Sequence, residues 1–211
     1  MDILPALLVK DQETLVRRVR RLEAETTVFH LDVMDGVFVP NRTWWDPVFL
    51  AQFQTPIQFE LHLMMERPED AFAATRLDPK VIRYIWHVEC EADHAQLARD
   101  IHASSKKTGL AINPPTDEGK IDAFAADLDA LLVMGAMPGF SGQEMDPGMI
   151  QRAARLAKRF PSLAVGFDIG VNAETVRLLK TAGVARCCAA SAIFGTENPV
   201  AAFRALQVAA Q

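Results

Sequence analysis

The chain is short of cysteine, has no excess of positive charge and contains no long apolar run, and each shortage removes a class of protein. Its three cysteines, Cys90, Cys187 and Cys188, form one adjacent pair and one distant residue. That is neither the even set of a secreted disulfide framework nor a CxxC metal motif, so buried thiols in a reducing cytosol are expected. A net charge of -5 over 211 residues leaves no basic stripe to neutralise a phosphate backbone, and no nucleic acid partner is expected. No stretch approaches the roughly 18 apolar residues of a membrane span. Met1-Asp2-Ile3-Leu4-Pro5 places no charged leader before an apolar segment, so no membrane partner and a cytoplasmic location are expected. No Gly-rich dinucleotide fingerprint follows the first strand-like run, which argues against a doubly wound sheet. No linker or low-complexity stretch divides the chain, so residues 1–211 read as a single domain.

What the chain does have is a hydrophobic content of 50%, enough to bury a large core. Strand-like runs recur at Ile3 to Leu8, Thr27 to Asp32, Gln58 to Leu63, Val81 to Val88, Gly109 to Ile112, Ala130 to Met134, Leu163 to Asp168 and Ala185 to Ala190. Helical spacing fills many of the gaps, at Glu13 to Ala24, Pro68 to Arg76, Asp93 to Lys106, Pro147 to Phe160 and Ala173 to Ala182, and Pro199 to Ala209 closes the pattern. Strands alternating with helices imply right-handed βαβ units, and eight such units predict a single-domain α/β fold, the (β/α)8 TIM barrel with eight parallel strands.

Four residues at the ends of these runs stand out: His30, Asp32, His62 and Asp168. In a strand, His30 and Asp32 point the same way. Two imidazoles and two carboxylates suit one divalent metal of the zinc, iron(II), manganese or cobalt kind better than calcium, which prefers oxygen alone. A lone histidine in an apolar strand is more often a hydrogen-bonded core residue than a ligand. As a set of four the balance reverses, because buried charges must be paired or ligating.

The segment His30-Leu31-Asp32-Val33-Met34-Asp35-Gly36-Val37-Phe38-Val39-Pro40-Asn41 resembles the second-strand signature of ribulose-phosphate 3-epimerases, and Leu61-His62-Leu63-Met64 resembles the third. Pro138 to Gln143 resembles the sixth-strand loop, Asp168 to Asn172 the seventh and Ala190 to Gly195 the eighth. The resemblance covers essentially the whole chain. It implies a metal held by His30, Asp32, His62 and Asp168, with Asp32 and Asp168 as the acid/base pair that inverts C3 of D-ribulose 5-phosphate to give D-xylulose 5-phosphate through an enediolate. It also implies an apolar floor of Met34, Met64 and Met134, which otherwise read as ordinary core methionines. The sugar phosphate is then the small-molecule partner, with its phosphate against Gly139, Phe140, Ser141, Gly142, Gly170, Ala190 and Ser191. Family members commonly self-associate, so a homo-oligomer is expected.

The chain departs from the resemblance where a phosphate would sit. Ser141, Ile169 and Ala190 stand where relatives have glycine, and Ala6 stands where they have serine; each of the three glycine replacements adds a side chain where backbone would approach an anion. An epimerase acting on a different or unphosphorylated ketose, or a non-catalytic barrel that binds metal or sugar, are the alternatives. Asp35 reads as a turn former, His87 as a residue that packs against or orients a ligand, His94 and His102 as solvated, and Asn113 as a turn residue or an orienting group.

Overall fold

In the computed structural model, which describes residues 1–211, eight parallel strands close into a barrel in chain order, β8 pairing back onto β1. The strands are β1 Asp2–Leu7, β2 Val28–Met34, β3 Gln58–Met64, β4 Val81–His87, β5 Lys107–Ile112, β6 Ala130–Met134, β7 Ala164–Asp168 and β8 Arg186–Ala189. All eight strand-like runs are therefore strands, with no end displaced by more than two residues. The helices are α1 Gln12–Leu22, α2 Pro47–Gln52, α3 Pro68–Thr75, α4 His94–Ala103, α5 Gly148–Arg159, α6 Ala173–Thr181, α7 Ser191–Phe194 and α8 Pro199–Ala209.

Two of these helices, α2 and α7, have no counterpart in the sequence reading, because six and four residues are too few to show a helical period. α2 is set by its start. The Asp46 carboxylate accepts the N–H groups of Val48 and Phe49 at 2.9 and 3.0 Å, and Pro47 supplies a preformed first turn. After β5 two 3-10 turns, Glu118–Ile121 and Ala125–Asp127, replace the helix. α1 shows the common pattern: Leu15, Val19 and Leu22 are buried along one face and Asp11 caps the start.

Residue parity along the strands separates packing from chemistry. Phe29, Leu31 and Val33 of β2, Phe59, Leu61 and Leu63 of β3, and Tyr84 and Trp86 of β4 belong to the large apolar core shared with the helices. The intervening residues face the lumen. Leu4, Ala6, Ile85, Ala111, Leu132, Met134 and Cys188 form a smaller apolar plug there. Below it sits a buried ionic group in which Arg83 and Arg186 both bond Glu60. Gly166 makes room for it, since a Cβ there would lie 3.1 Å from the Arg186 side chain. Towards the C-terminal ends of the strands, β2 and β3 pair in a register that sets Asp32 beside His62 and Met34 beside Met64, with His30 beside Glu60 on the level beneath.

Candidate active site

The barrel brings the four singled-out residues together. One ligand atom each from His30, Asp32, His62 and Asp168 lies within 4.8 Å of the others, with both imidazoles fully buried. Asp32 Oδ1 is the centre: His62 Nδ1 lies 3.0 Å from it and His30 Nε2 3.4 Å. Asp168 Oδ2 completes the cluster, 3.8 Å from His62 Nδ1. The other Asp168 oxygen accepts the Ile169 N–H at 2.8 Å, and the Asp168 backbone carbonyl accepts the Gly135 N–H at 2.7 Å. Asp168 is thus pinned from both sides, with one carboxylate oxygen left for the cluster.

Each imidazole presents a different nitrogen. His30 Nδ1 lies 2.6 Å from Glu60 Oε1; an ionised carboxylate only accepts, so that nitrogen carries a hydrogen, and in the neutral ring Nε2 is left with the lone pair. His30 Nε2 has no hydrogen-bond partner although it is buried. A lone pair aimed at a carboxylate in a dry pocket is repelled unless a cation lies between them. The donor set therefore fits a divalent ion, and His30, Asp32, His62 and Asp168 are the residues that would hold it.

The electrostatics show the same demand for positive charge at this spot, met by a proton on His30 or by an ion. Burial opposes a charge on His30, but Cys188, Asp32 and Glu60 around it outweigh burial and hold its proton affinity well above the ordinary value. Burial would also raise Asp32, yet the adjacent His30 and His62 imidazoles hold it well below the carboxylate range. Asp168 goes the other way, raised by burial and then by the charge of Asp32. Two neighbouring carboxylates are thus driven apart in proton affinity. Glu60, despite burial, is kept low by Arg186, His30 and Arg83.

A cleft opens over this cluster. Asp32, Asp168, Met34, Met64 and Met134 line its floor, the methionines each ending a strand. Gly139, Phe140, Ser141, Gly142, Gly170, Ala190 and Ser191 line the far side together with Ile169. Ile169 has φ 72°, a left-handed conformation that a β-branched residue adopts only under strain. The next residue, Gly170, is packed against Met145, which a Cβ there would meet at 2.7 Å. Ala6 lies deeper, buried beside His30 in register.

Other candidates sort as follows. Asp35 is a turn former, accepting the N–H groups of Val37 and Phe38 at 2.8 and 2.9 Å and that of Glu66 at 2.8 Å. Asn113 opens a turn closed by the Thr116 N–H. His87 lies outside the four-residue cluster but against His62, its Nε2 2.9 Å from that of His62, and burial pushes it down to about 4. His102 is exposed, as expected, and bonds Asp129. His94 corrects the expectation of a solvated side chain: it is half-buried, accepts the Trp86 indole N–H at 2.9 Å and packs edge-on against Phe124, because α4 begins directly over the outward face of β4. Glu60 carries no signal in the sequence beyond its position two residues before His62, which gives it the same inward parity.

Residues 2–194 match the sequence profile of the ribulose-phosphate 3 epimerase family. The ribulose-phosphate 3-epimerase of Mycobacterium bovis is 31% identical over 210 residues, covering 97% of this chain and 91% of its own. The cytoplasmic isoform from Oryza sativa subsp. japonica is 30% identical over 97% of this chain and 92% of its own. Among solved structures, the 3-hexulose-6-phosphate synthase of Salmonella typhimurium superposes with a TM-score of 0.73 at 12% identity, covering 100% of this chain and 98% of its own. At that identity the likeness shows the shared barrel alone.

Proposed function

The chain belongs to the ribulose-phosphate 3-epimerase family, and from that premise we propose that its 1–211 barrel is a metal-dependent ketose-phosphate 3-epimerase interconverting D-ribulose 5-phosphate and D-xylulose 5-phosphate. The observation that carries this is the buried quartet with an unpartnered imidazole nitrogen at the floor of a cleft. Asp32 and Asp168 are the proton-transfer pair: one removes the C3 proton from one face of the sugar, the other returns a proton to the opposite face. A divalent ion of zinc, iron(II), manganese or cobalt, when held by the quartet, supplies Lewis-acid stabilisation of the negative charge that develops on the ketone oxygen. Met34, Met64 and Met134 exclude water beneath the planar enediolate and limit stray protonation. The loops carrying Gly139, Phe140, Ser141, Gly142, Gly170, Ala190 and Ser191 hold the phosphate through backbone N–H groups, with no Lys or Arg lining the cleft. A cytoplasmic homo-oligomer is the accompanying proposal. A coupled assay with each metal, paired with C3 deuterium exchange followed by NMR, tests the reading. No turnover and no exchange with any pentulose or hexulose phosphate would overturn it.

One observation favours a second reading, an epimerase for a ketose without the phosphate. Ile169 is kept in a strained conformation on the cleft wall, where it narrows backbone access for a dianion. Comparing turnover of phosphorylated and free sugars separates the two.

A further inference from the structure

His62 has its ring edge to edge with that of His87. The 5.0 Å between centroids, with planes 24° apart, is close to the sum of the 2.9 Å Nε2 to Nε2 contact and two ring radii. Both rings are fully buried. A contact of this kind holds one hydrogen between two nitrogens, since two would clash and none would leave facing lone pairs. On the far side of His87, Nδ1 lies 3.3 Å from Glu89 Oε2. Glu89 is itself fixed, its other oxygen accepting the Asn113 N–H at 2.9 Å and the Thr116 hydroxyl at 2.5 Å. Arg152 of α5 in turn bonds the carbonyls of Asn113, Pro114 and Thr116.

Resting on the metal-binding reading above, we propose that Glu89, acting through His87, is a positioning residue that holds His62 in its ligating tautomer. The hydrogens can be placed by elimination. Only Nδ1 of His62 faces the quartet, so a ligating His62 keeps its hydrogen on Nε2. That hydrogen must be donated to His87 Nε2, which is then an acceptor, and His87 carries its own hydrogen on Nδ1. An ionised carboxylate beside Nδ1 favours that arrangement over its mirror. His30 reaches the equivalent state with a carboxylate in direct contact, Glu60, and offers Nε2 in place of Nδ1. The two ligands are thus anchored in opposite tautomers, one by a carboxylate directly and one across an intervening imidazole.

Two-bond 1H–15N spectra of the full-length protein, metal-free and loaded with Zn²⁺, read the tautomers without any mutation. The expected zinc-loaded spectrum has His62 protonated on Nε2 with a zinc-shifted Nδ1, and His87 protonated on Nδ1. Zinc bound with His62 ligating through Nε2, or with His87 protonated on Nε2, overturns the proposal while leaving the metal reading intact. Absence of any zinc effect on the histidines removes both. Glu89→Gln should weaken Zn²⁺ affinity by about 10-fold in a chelator competition and populate both His62 tautomers. A merely structural Glu89 would lower Tm with the His62 hydrogen unmoved, and that result also counts against the proposal.

Discussion

The two halves of the barrel mouth are built differently. On the β2, β3 and β7 side, each member of the quartet sits on a strand, at a parity fixed by the barrel register, and three of the four have their second polar atom engaged: His30 by Glu60, His62 by His87, Asp168 by the Ile169 amide. On the β6 to β8 loop side the wall is backbone and small residues together with Phe140, Val171 and Ile169, the last at φ 72°. In the proposed function, proton transfer belongs to the rigid strands and the choice of substrate tail to loops that change without disturbing the register.

The comparison breaks first if the strand half is not where protons move. Asp32→Asn and Asp168→Asn should each reduce C3 exchange with solvent deuterium by about 10² to 10⁴-fold; a variant within about ten-fold of the parent would strip that carboxylate of its role. Next in size is the response to metal. Zn²⁺ at about 100 times its Kd should stabilise the fold by about 2.7 kcal/mol, read as a rise in Tm that His30→Gln abolishes. An unchanged Tm on adding zinc, iron(II), manganese and cobalt in turn would show that the facing lone pairs need no ion.

The loop half is sharpened by Ile169→Gly, which relieves the strained backbone and reopens the wall. One charge-assisted hydrogen bond to a phosphate is worth about 1.5–3 kcal/mol, so the preference for ribulose 5-phosphate over free ribulose in kcat/KM should rise about 10-fold or more. An unaltered ratio would take Ile169 out of specificity. The smallest effect belongs to Asp35, whose carboxylate ties the β2 loop to Glu66 after β3 and whose pKa, despite burial, is lowered by the Glu66, Val37 and Phe38 amides. A group with a depressed folded pKa stabilises above its unfolded value, near 3.9, and loses that stabilisation as pH falls through the folded value. Asp35→Asn should therefore cost about 1 kcal/mol at pH 7, with the gap to the parent closing below about pH 4 in denaturant titrations.

Much of this was legible in the residues. All eight strands show as apolar runs, and His30, Asp32, His62 and Asp168 stand out because charge in an apolar strand demands a partner. α2 and α7 did not show, being shorter than the period that reveals a helix, although Asp46-Pro47 is a start signal. The partners stayed hidden for another reason. Glu60, Arg83 and Arg186 lie far apart in the chain and meet only when the lumen closes, and His94 looked solvated because nothing local reveals that Trp86 will donate to it.

That ionic group has a consequence for how the molecule assembles. Glu60 comes from β3 and Arg83 from β4, while Arg186 arrives on β8, the last strand and one partner in the closing seam with β1. A nascent half-barrel that has made only β1 to β4 holds the acid with one of its two guanidiniums, and the arriving β8 brings a cation that has no other buried counterion. The electrostatic bolt slides home only when the ring shuts, so an incomplete or misregistered cylinder is penalised from within.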